Sequence, residues 1–140
     1  MFKSENVLRL DRGKQVMAEL SRYCQKKKIT SAVIFGVLGS VENVRIAKLT
    51  QDSSKFGEDY DEFRGPFSVI AGQGSISTFQ DKNIIHVHIS LARYETYQVI
   101  GGHLNEAEVL NTVEIYIGEL AYQLQREIDP KLRHAEIVTT

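Results

Sequence analysis

The sequence contains little cysteine and proline, no tryptophan and no long apolar run. Its single cysteine, Cys24, cannot form an internal disulfide, which suits a reducing compartment such as the cytoplasm. No stretch approaches the roughly 18 apolar residues of a membrane span, and the first residues include no apolar signal region. We therefore expect a cytoplasmic protein with no membrane partner, folded as a single domain over residues 1–140.

A marked excess of charge is also absent, because 17 Lys and Arg against 18 Asp and Glu leave a net charge of −1. This balance argues against a generic nucleic-acid coat protein, which neutralises many phosphates. The balance is nevertheless +6 over residues 1–50 and −7 over residues 51–140. Lys26, Lys27 and Lys28 in the basic part are candidates for weak DNA contacts. Solvation of a helix end, or pairing of the two oppositely charged parts, would explain the same charges.

Helical periodicity is confined to residues 11–28, where one apolar stripe would face the core. Asp11 is predicted to cap the amino end of this helix, and the three lysines lie at the other end, where they complement the helix dipole. The stripe consists of Val16, Leu20, Tyr23 and Cys24.

The rest of the chain reads as short strands interrupted by glycine-rich breaks and by one exposed loop or edge segment over residues 51–64. Breaks are predicted at residues 36–40 and 72–74, where bulges or close backbone approach would explain the glycines. The last strand is predicted at residues 122–128. The sequence therefore predicts an α+β fold with a largely antiparallel sheet of about seven strands, flanked by one main helix and short helical turns.

The most specific motif is a strand in which His86 and His88 alternate with apolar residues. Two imidazoles at alternate positions share a face, roughly 6.6–7 Å apart at their Cα atoms, so both can bind one ion. His103 follows 15 residues later, after two glycines that would permit a tight bend. The pattern predicts a divalent metal site, zinc with an open fourth position. Unrelated histidines, or a hydrogen-bonded cluster, are the alternatives.

Glu114 is the only candidate catalytic residue, and it lies in an alternating strand over residues 112–116. If its face points toward the histidines, its carboxylate could orient an imidazole, ligate the metal or act as a base. An exposed carboxylate on a strand edge is the alternative. His134, in a polar tail, is expected to face solvent.

The order of these motifs resembles the PPC domain family (plants and prokaryotes conserved) over nearly the whole chain. The strongest likeness lies at residues 86–91 and 99–104, and it is supported by residues 8–13, 36–41, 65–67, 74–77 and 112–114. Each motif is short, but their joint occurrence in this order is specific.

The resemblance implies an antiparallel sheet, a homotrimer, and a zinc site at His86, His88 and His103, as in prokaryotic members. The family is labelled DNA-binding because plant members carry an AT-hook beside the domain. No Arg-Gly-Arg hook occurs here, so the chain resembles a prokaryotic stand-alone member whose DNA binding would be weak. A DNA-binding or regulatory protein, a metal-dependent enzyme and a small-ligand sensor are the functions left open.

Overall fold

The computed structural model describes residues 2–49 and 59–138, which contain eight strands and one helix. In chain order the elements are β1 (Phe2–Asp11), α1 (Val16–Lys27), β2 (Ala32–Ala47), β3 (Tyr60–Phe63), β4 (Phe67–Phe79), β5 (Lys82–Arg93), β6 (Val99–Leu120), β7 (Arg126–Ile128) and β8 (Ala135–Ile137). The predicted antiparallel architecture with one main helix is confirmed. The chain is mainly β, however, and no helical segment accompanies α1 among these residues, so the predicted short helical turns were wrong.

The main sheet has six strands in the order β1-β6-β5-β4-β2-β3, and β2 also pairs with β6. All of these pairings are antiparallel. The second pairing of β2 closes β2, β4, β5 and β6 into a ring of hydrogen-bonded strands. Strands β7 and β8 form a separate two-stranded sheet, the carboxyl-terminal hairpin, which docks on β4 where Thr78 N–H donates to Leu124 O at 2.9 Å.

The core lies between α1 and the inner faces of the strands, as the helical stripe predicted. Val16, Leu20 and Cys24 are buried, and Tyr23 packs against them. Burial raises the pKa of the Cys24 thiol to about 11, so this residue is a structural thiol. The largest fully buried side chains on the strands include Ile34, Phe67, Leu91, Leu104 and Ile115.

The start of α1 differs from the prediction that Asp11 caps it. Asp11 is the last residue of β1, and Gln15 occupies the cap position without a side-chain hydrogen bond. The Glu106 carboxylate on β6 accepts hydrogen bonds from the backbone N–H groups of Met17 and Ala18 at 2.7 and 3.1 Å. A residue distant in sequence therefore satisfies the helix terminus and places a negative charge there.

Several predicted breaks were wrong because the strands run through their glycines. Strand β2 continues across residues 36–40, and β4 continues across residues 72–74. A Cβ atom on Gly39 would overlap the carbonyl oxygen of Thr112, and one on Gly74 would overlap that of His86. These glycines allow neighbouring strands to approach closely instead of ending them.

The remaining boundaries also shift relative to the prediction. Residues 60–63 form the edge strand β3 along β2, which agrees with the expected edge segment, and residues 50–58 lie outside the described residues. The last predicted strand is shorter, because β7 covers only Arg126–Ile128. Among the described residues, no helix is long and apolar enough to cross a membrane.

Candidate metal centre

His86 and His88 lie on β5, where the predicted alternation holds. Val87 and Ile89 between and beside them are buried in the core, whereas His86 is half-buried and His88 exposed. Strand β5 is hydrogen-bonded to β4 and β6, and its register pairs His88 directly with His103. Directly paired residues of antiparallel strands project to the same face, so the three imidazoles stand together.

His103 reaches this position through strand register and not through the predicted glycine bend. Gly101 and Gly102 lie within β6. A Cβ atom on Gly101 would be 2.6 Å from the Ile89 carbonyl oxygen, and one on Gly102, where φ is +151°, would be 2.9 Å from Ile46 Cγ2. The two glycines therefore let β6 pass close to β5 and β2 as it enters the site.

The three imidazoles converge closely enough to share an ion. One nitrogen from each of His86, His88 and His103 lies within 4.8 Å of the others, and the ring centroids are 4.8 to 5.6 Å apart. His86 Nε2 is buried and has no hydrogen-bond partner among the described residues. A buried imidazole nitrogen without a partner is costly unless something outside the chain binds it, so these residues fit a metal with nitrogen ligands.

The electrostatics of the site favour neutral imidazoles. Burial, followed by the nearby His86 and His88, lowers the pKa of His103 from 6.5 to about 4. Burial, His88 and then Arg126 lower the pKa of His86, while Glu136 opposes them. Neutral imidazole is the form that ligates metals, so the site is prepared for binding without the loss of protons.

Glu114, the predicted catalytic candidate, is not brought to the histidines within one chain. It lies 11 residues beyond His103 on β6, opposite Arg9 of β1 and Leu38 of β2. Its carboxylate accepts a hydrogen bond from the Tyr116 hydroxyl at 2.7 Å. Its role as a base or ligand stays a prediction that needs a second subunit.

Two charged residues of the carboxyl-terminal hairpin, Arg126 and Glu136, were not predicted from the sequence as residues that influence the site. Arg126 and Glu136 both influence the pKa of His86. His134, expected to face solvent, is half-buried, and its Nδ1 lies 2.8 Å from Glu136 Oε1. No local sequence pattern connects these residues to the histidine motif, because the hairpin reaches the site only through its docking on β4.

Lys26, Lys27 and Lys28, here called the lysine cluster, end α1 far from the histidines in sequence. All three are exposed and make no ion pair among the described residues. Other basic residues of the first 50 pair with the acidic part of the chain, in the ion pairs Lys3–Glu119, Arg45–Glu62 and Lys48–Asp59. The expected pairing of the two parts is therefore seen for these three residues, whereas Arg9 and Arg22 pair within the first 50 residues and the lysine cluster makes no ion pair among the described residues.

Several solved structures share this fold. A metal-containing protein from Archaeoglobus fulgidus is 24% identical, with 99% of this chain and 96% of that chain covered and a TM-score of 0.85. A candidate DNA-binding protein from Ralstonia eutropha is 22% identical, with 96% and 90% covered and a TM-score of 0.83. Acetolactate decarboxylase from Bacillus subtilis is more distant, at 14% identity, 90% and 57% covered and a TM-score of 0.58. At these identities the likeness shows the fold.

The family is established by the sequence itself. Comparison with curated proteins finds no match. Residues 2–121, which include all three histidines and every strand of the main sheet, match the family model of the Plants and Prokaryotes Conserved domain, abbreviated PCC or PPC. The carboxyl-terminal hairpin lies beyond this match. The chain therefore belongs to the Plants and Prokaryotes Conserved domain family.

Proposed function

We propose that His86, His88 and His103 bind a divalent metal ion, zinc, and that this site is the functional centre of the protein. The observation that carries the proposal is the convergence of three imidazole nitrogens within 4.8 Å around a buried His86 nitrogen that has no partner among the described residues. The name of the Archaeoglobus relative, a metal-containing protein, supports it.

Zinc suits this donor set better than magnesium or calcium, because imidazole nitrogen is a preferred zinc ligand and those ions take oxygen ligands. Three protein ligands leave a coordination position for water or a small molecule, and zinc so bound would lower the pKa of that water. His88 is exposed, so this position faces solvent on the side of β5. The site is therefore suited to binding a ligand and not only to holding the fold together.

Zinc content after exhaustive dialysis tests the proposal. Wild-type protein should hold about one zinc per chain, and His88→Ala should lose it, because two remaining imidazoles bind zinc weakly. His134→Ala is the matched control, since it removes the one histidine outside the trio and should retain zinc. Equal zinc in the wild type and in His88→Ala would contradict the assignment.

We propose that the protein assembles as a homotrimer through the outer face of β1, β6, β2 and β4. Val7, Phe35, Leu38 and Ile70 on these strands are each at least 50% exposed. Val7 pairs with Tyr116 of β6, and Leu38 pairs with Glu114, two residues before Tyr116 on the same strand. Val7 and Leu38 therefore project from the same face of neighbouring strands. An apolar patch of this kind on a small domain is typical of an interface.

Multi-angle light scattering should give roughly three times the 15.8 kDa mass of one chain, as closed cyclic symmetry requires. Leu38→Glu should dissociate the trimer by burying an unpaired charge. Tyr97→Glu is the control, since Tyr97 is 79% exposed in the turn before β6, away from this face. A wild-type monomer at micromolar concentration would overturn the proposal.

A second candidate function is weak, sequence-independent DNA binding by the lysine cluster. The cluster is exposed and free of ion pairs among the described residues, and the Ralstonia relative is by name a candidate DNA-binding protein. Each chain has a net charge of −1, so a trimer would attract phosphate poorly at long range. Binding should fall sharply between roughly 50 and 200 mM salt, because it depends on counterion release.

Fluorescence anisotropy with random and AT-rich duplexes at both salt concentrations measures this binding. Replacing the lysine cluster with glutamine should abolish it. Replacing Lys82, Lys131 and Arg133 with glutamine removes the same charge elsewhere and should leave most of the binding intact. Tight binding to one sequence at physiological salt would contradict a sequence-independent contact.

Catalysis at the histidine site is the remaining candidate, favoured by the fold shared with acetolactate decarboxylase. The chain spans 57% of that enzyme's length, so its residues outside the shared part have no counterpart here. Incubation of the zinc-loaded protein with acetolactate, followed by measurement of released carbon dioxide, tests this candidate. Turnover that His88→Ala abolishes would support it, and no turnover above the protein-free rate would exclude this substrate.

A further inference from the structure

The face of β4 and β5 that carries the histidines extends beyond His86 to Ser77. The register pairs Ser75 with His86 and Ser77 with Ile84. Because paired residues share a face and alternate residues of one strand do so too, Ser77 and His86 lie on the same face, one step apart. Ser77 is nevertheless fully buried, whereas His86 is half-buried. Another part of the chain must therefore cover the serine end of this face.

That cover is the guanidinium of Arg126, the first residue of β7. Its Nε donates a hydrogen bond to Ser77 Oγ at 2.8 Å, and its Nη1 donates to the Ala135 carbonyl oxygen of β8 at 3.0 Å. The hairpin that carries it is itself anchored to β4 through Thr78. The guanidinium is therefore held in place on the histidine face from two sides.

Arg126 keeps N–H donors that make no hydrogen bond within the described residues. A guanidinium has five N–H donors, of which these two hydrogen bonds use two. No carboxylate among the described residues lies within ion-pair distance of Arg126. Its hydrogen bond to Ser77 places the guanidinium one step along the shared face from His86. The Glu136 carboxylate of the same hairpin is engaged by His134.

We propose that Arg126 binds the oxyanion group of a small ligand, a carboxylate or a phosphate, whose other end coordinates the metal at the three histidines. This inference rests on the proposed metal site. A fixed guanidinium binds such groups with two parallel hydrogen bonds, and a divalent metal beside it adds further attraction for an anion. The hairpin lies outside residues 2–121, so this chain's own carboxyl-terminal segment selects the ligand.

The test uses cobalt(II)-loaded protein titrated with oxalate and, separately, with inorganic phosphate. Calorimetry measures affinity, and the visible cobalt spectrum reports coordination, so neither readout needs catalytic activity. At least one anion should bind the wild type, and Arg126→Gln should weaken that binding by about tenfold or more. Arg133→Gln is the matched control, because it removes the same charge from the turn of the same hairpin and should leave binding unchanged. Binding of oxalate alone would indicate that the natural ligand carries a carboxylate, and binding of phosphate alone would indicate that it carries a phosphate.

The outcomes separate this inference from the metal proposal. Wild-type protein that binds no cobalt or zinc would overturn both. If the metal-loaded wild type binds neither anion, the inference alone is overturned. Equal affinity of the wild type and Arg126→Gln for the anion would also overturn it. Arg126→Lys keeps the charge but loses the two-pronged geometry, and we expect a several-fold loss of affinity. If Arg126→Gln does not fold, Arg126→Lys provides the test, and an anion affinity equal to that of the wild type would overturn the inference.

Discussion

Strand β6 consists of two stretches with different roles. Residues 99–103 pair with β5, are exposed or half-buried, and include two glycines and the ligand candidate His103. Residues 104–120 pair with β2 and β1 and bury Leu104, Val113 and Ile115 among other apolar side chains. The first stretch carries the chemistry, and the second carries the packing.

The difference teaches that residues which never touch the site determine its geometry. A shift of register by one residue would turn every buried side chain of β6 toward solvent. Burial of the second stretch therefore fixes the register, and that register places His103 opposite His88. The first stretch contributes little burial of its own and can therefore hold the half-buried imidazole of His103.

The largest effect should come from the packing stretch. Ile115 is 1% exposed, so Ile115→Ala should lower the free energy of unfolding by about 2–5 kcal/mol through lost burial and a cavity. Val99→Ala, at a site 57% exposed in the first stretch, should change it by less than about 0.5 kcal/mol. Urea unfolding measures both, and equal losses would erase the distinction between the stretches.

Gly101→Ala should have an intermediate effect that combines stability with metal binding. Its Cβ would meet the Ile89 carbonyl oxygen, so β5 and β6 must separate, at about 1–3 kcal/mol. Zinc affinity, measured by competition with a chelator, should fall in parallel. Gly36→Ala is the matched control, because its Cβ would make only an ordinary 3.7 Å contact with Tyr116. Unchanged zinc affinity in Gly101→Ala would show that close strand approach does not set the site.

The metal-free protein should lose stability as the pH falls from about 6.5 toward 4. The pKa of His103 is about 4 in the folded chain, below its usual 6.5, so the unfolded chain takes up a proton that the folded chain excludes. Because the site is half-buried, we expect a loss of about 1–2 kcal/mol over this range. Urea unfolding at several pH values should show a smaller slope for His103→Gln. An identical slope in both proteins would contradict the assignment.

The smallest effect should be that of His88→Ala in metal-free protein. His88 is exposed, so its removal should change the free energy of unfolding by less than about 0.5 kcal/mol. Added zinc should then stabilise the wild type and leave His88→Ala unaffected, because only a ligand that binds the folded state adds stability. Thermal unfolding with and without zinc measures this. Comparable stabilisation of both proteins would place zinc elsewhere.

The sequence predicted the features that depend on local periodicity. Alternation around His86 and His88 was confirmed because Val87 and Ile89 are buried beneath them. The helix was also confirmed, since its stripe needs only a 3.6-residue repeat. Such patterns depend on neighbours in sequence, and a single chain displays them.

The features that escaped prediction depend on distant parts of the chain. Close backbone approach was expected at Gly39 and Gly74 and is confirmed, but the sequence does not reveal which strand passes there, so the breaks predicted at these positions were wrong. Glu106 at the start of α1 and Arg126 at Ser77 lie far along the chain from the groups they contact. Only the assembled register shows these relations.

The pairing of β2 with β6, which closes the ring of strands, also implies an order in which the strand pairings form during folding. The pairs that close it, Ala32 with Glu119 and Ile46 with Leu104, lie 87 and 58 positions apart, whereas His88 and His103 are 15 apart. Shorter loops close at a smaller entropic cost, and hairpins form within microseconds, while distant pairings slow folding to milliseconds or longer. The three histidines therefore belong to the β4–β5–β6 part of the sheet, in which consecutive strands pair locally. A metal ion present during refolding should meet its ligands before the distant strands join, and should speed folding as well as stabilise its product.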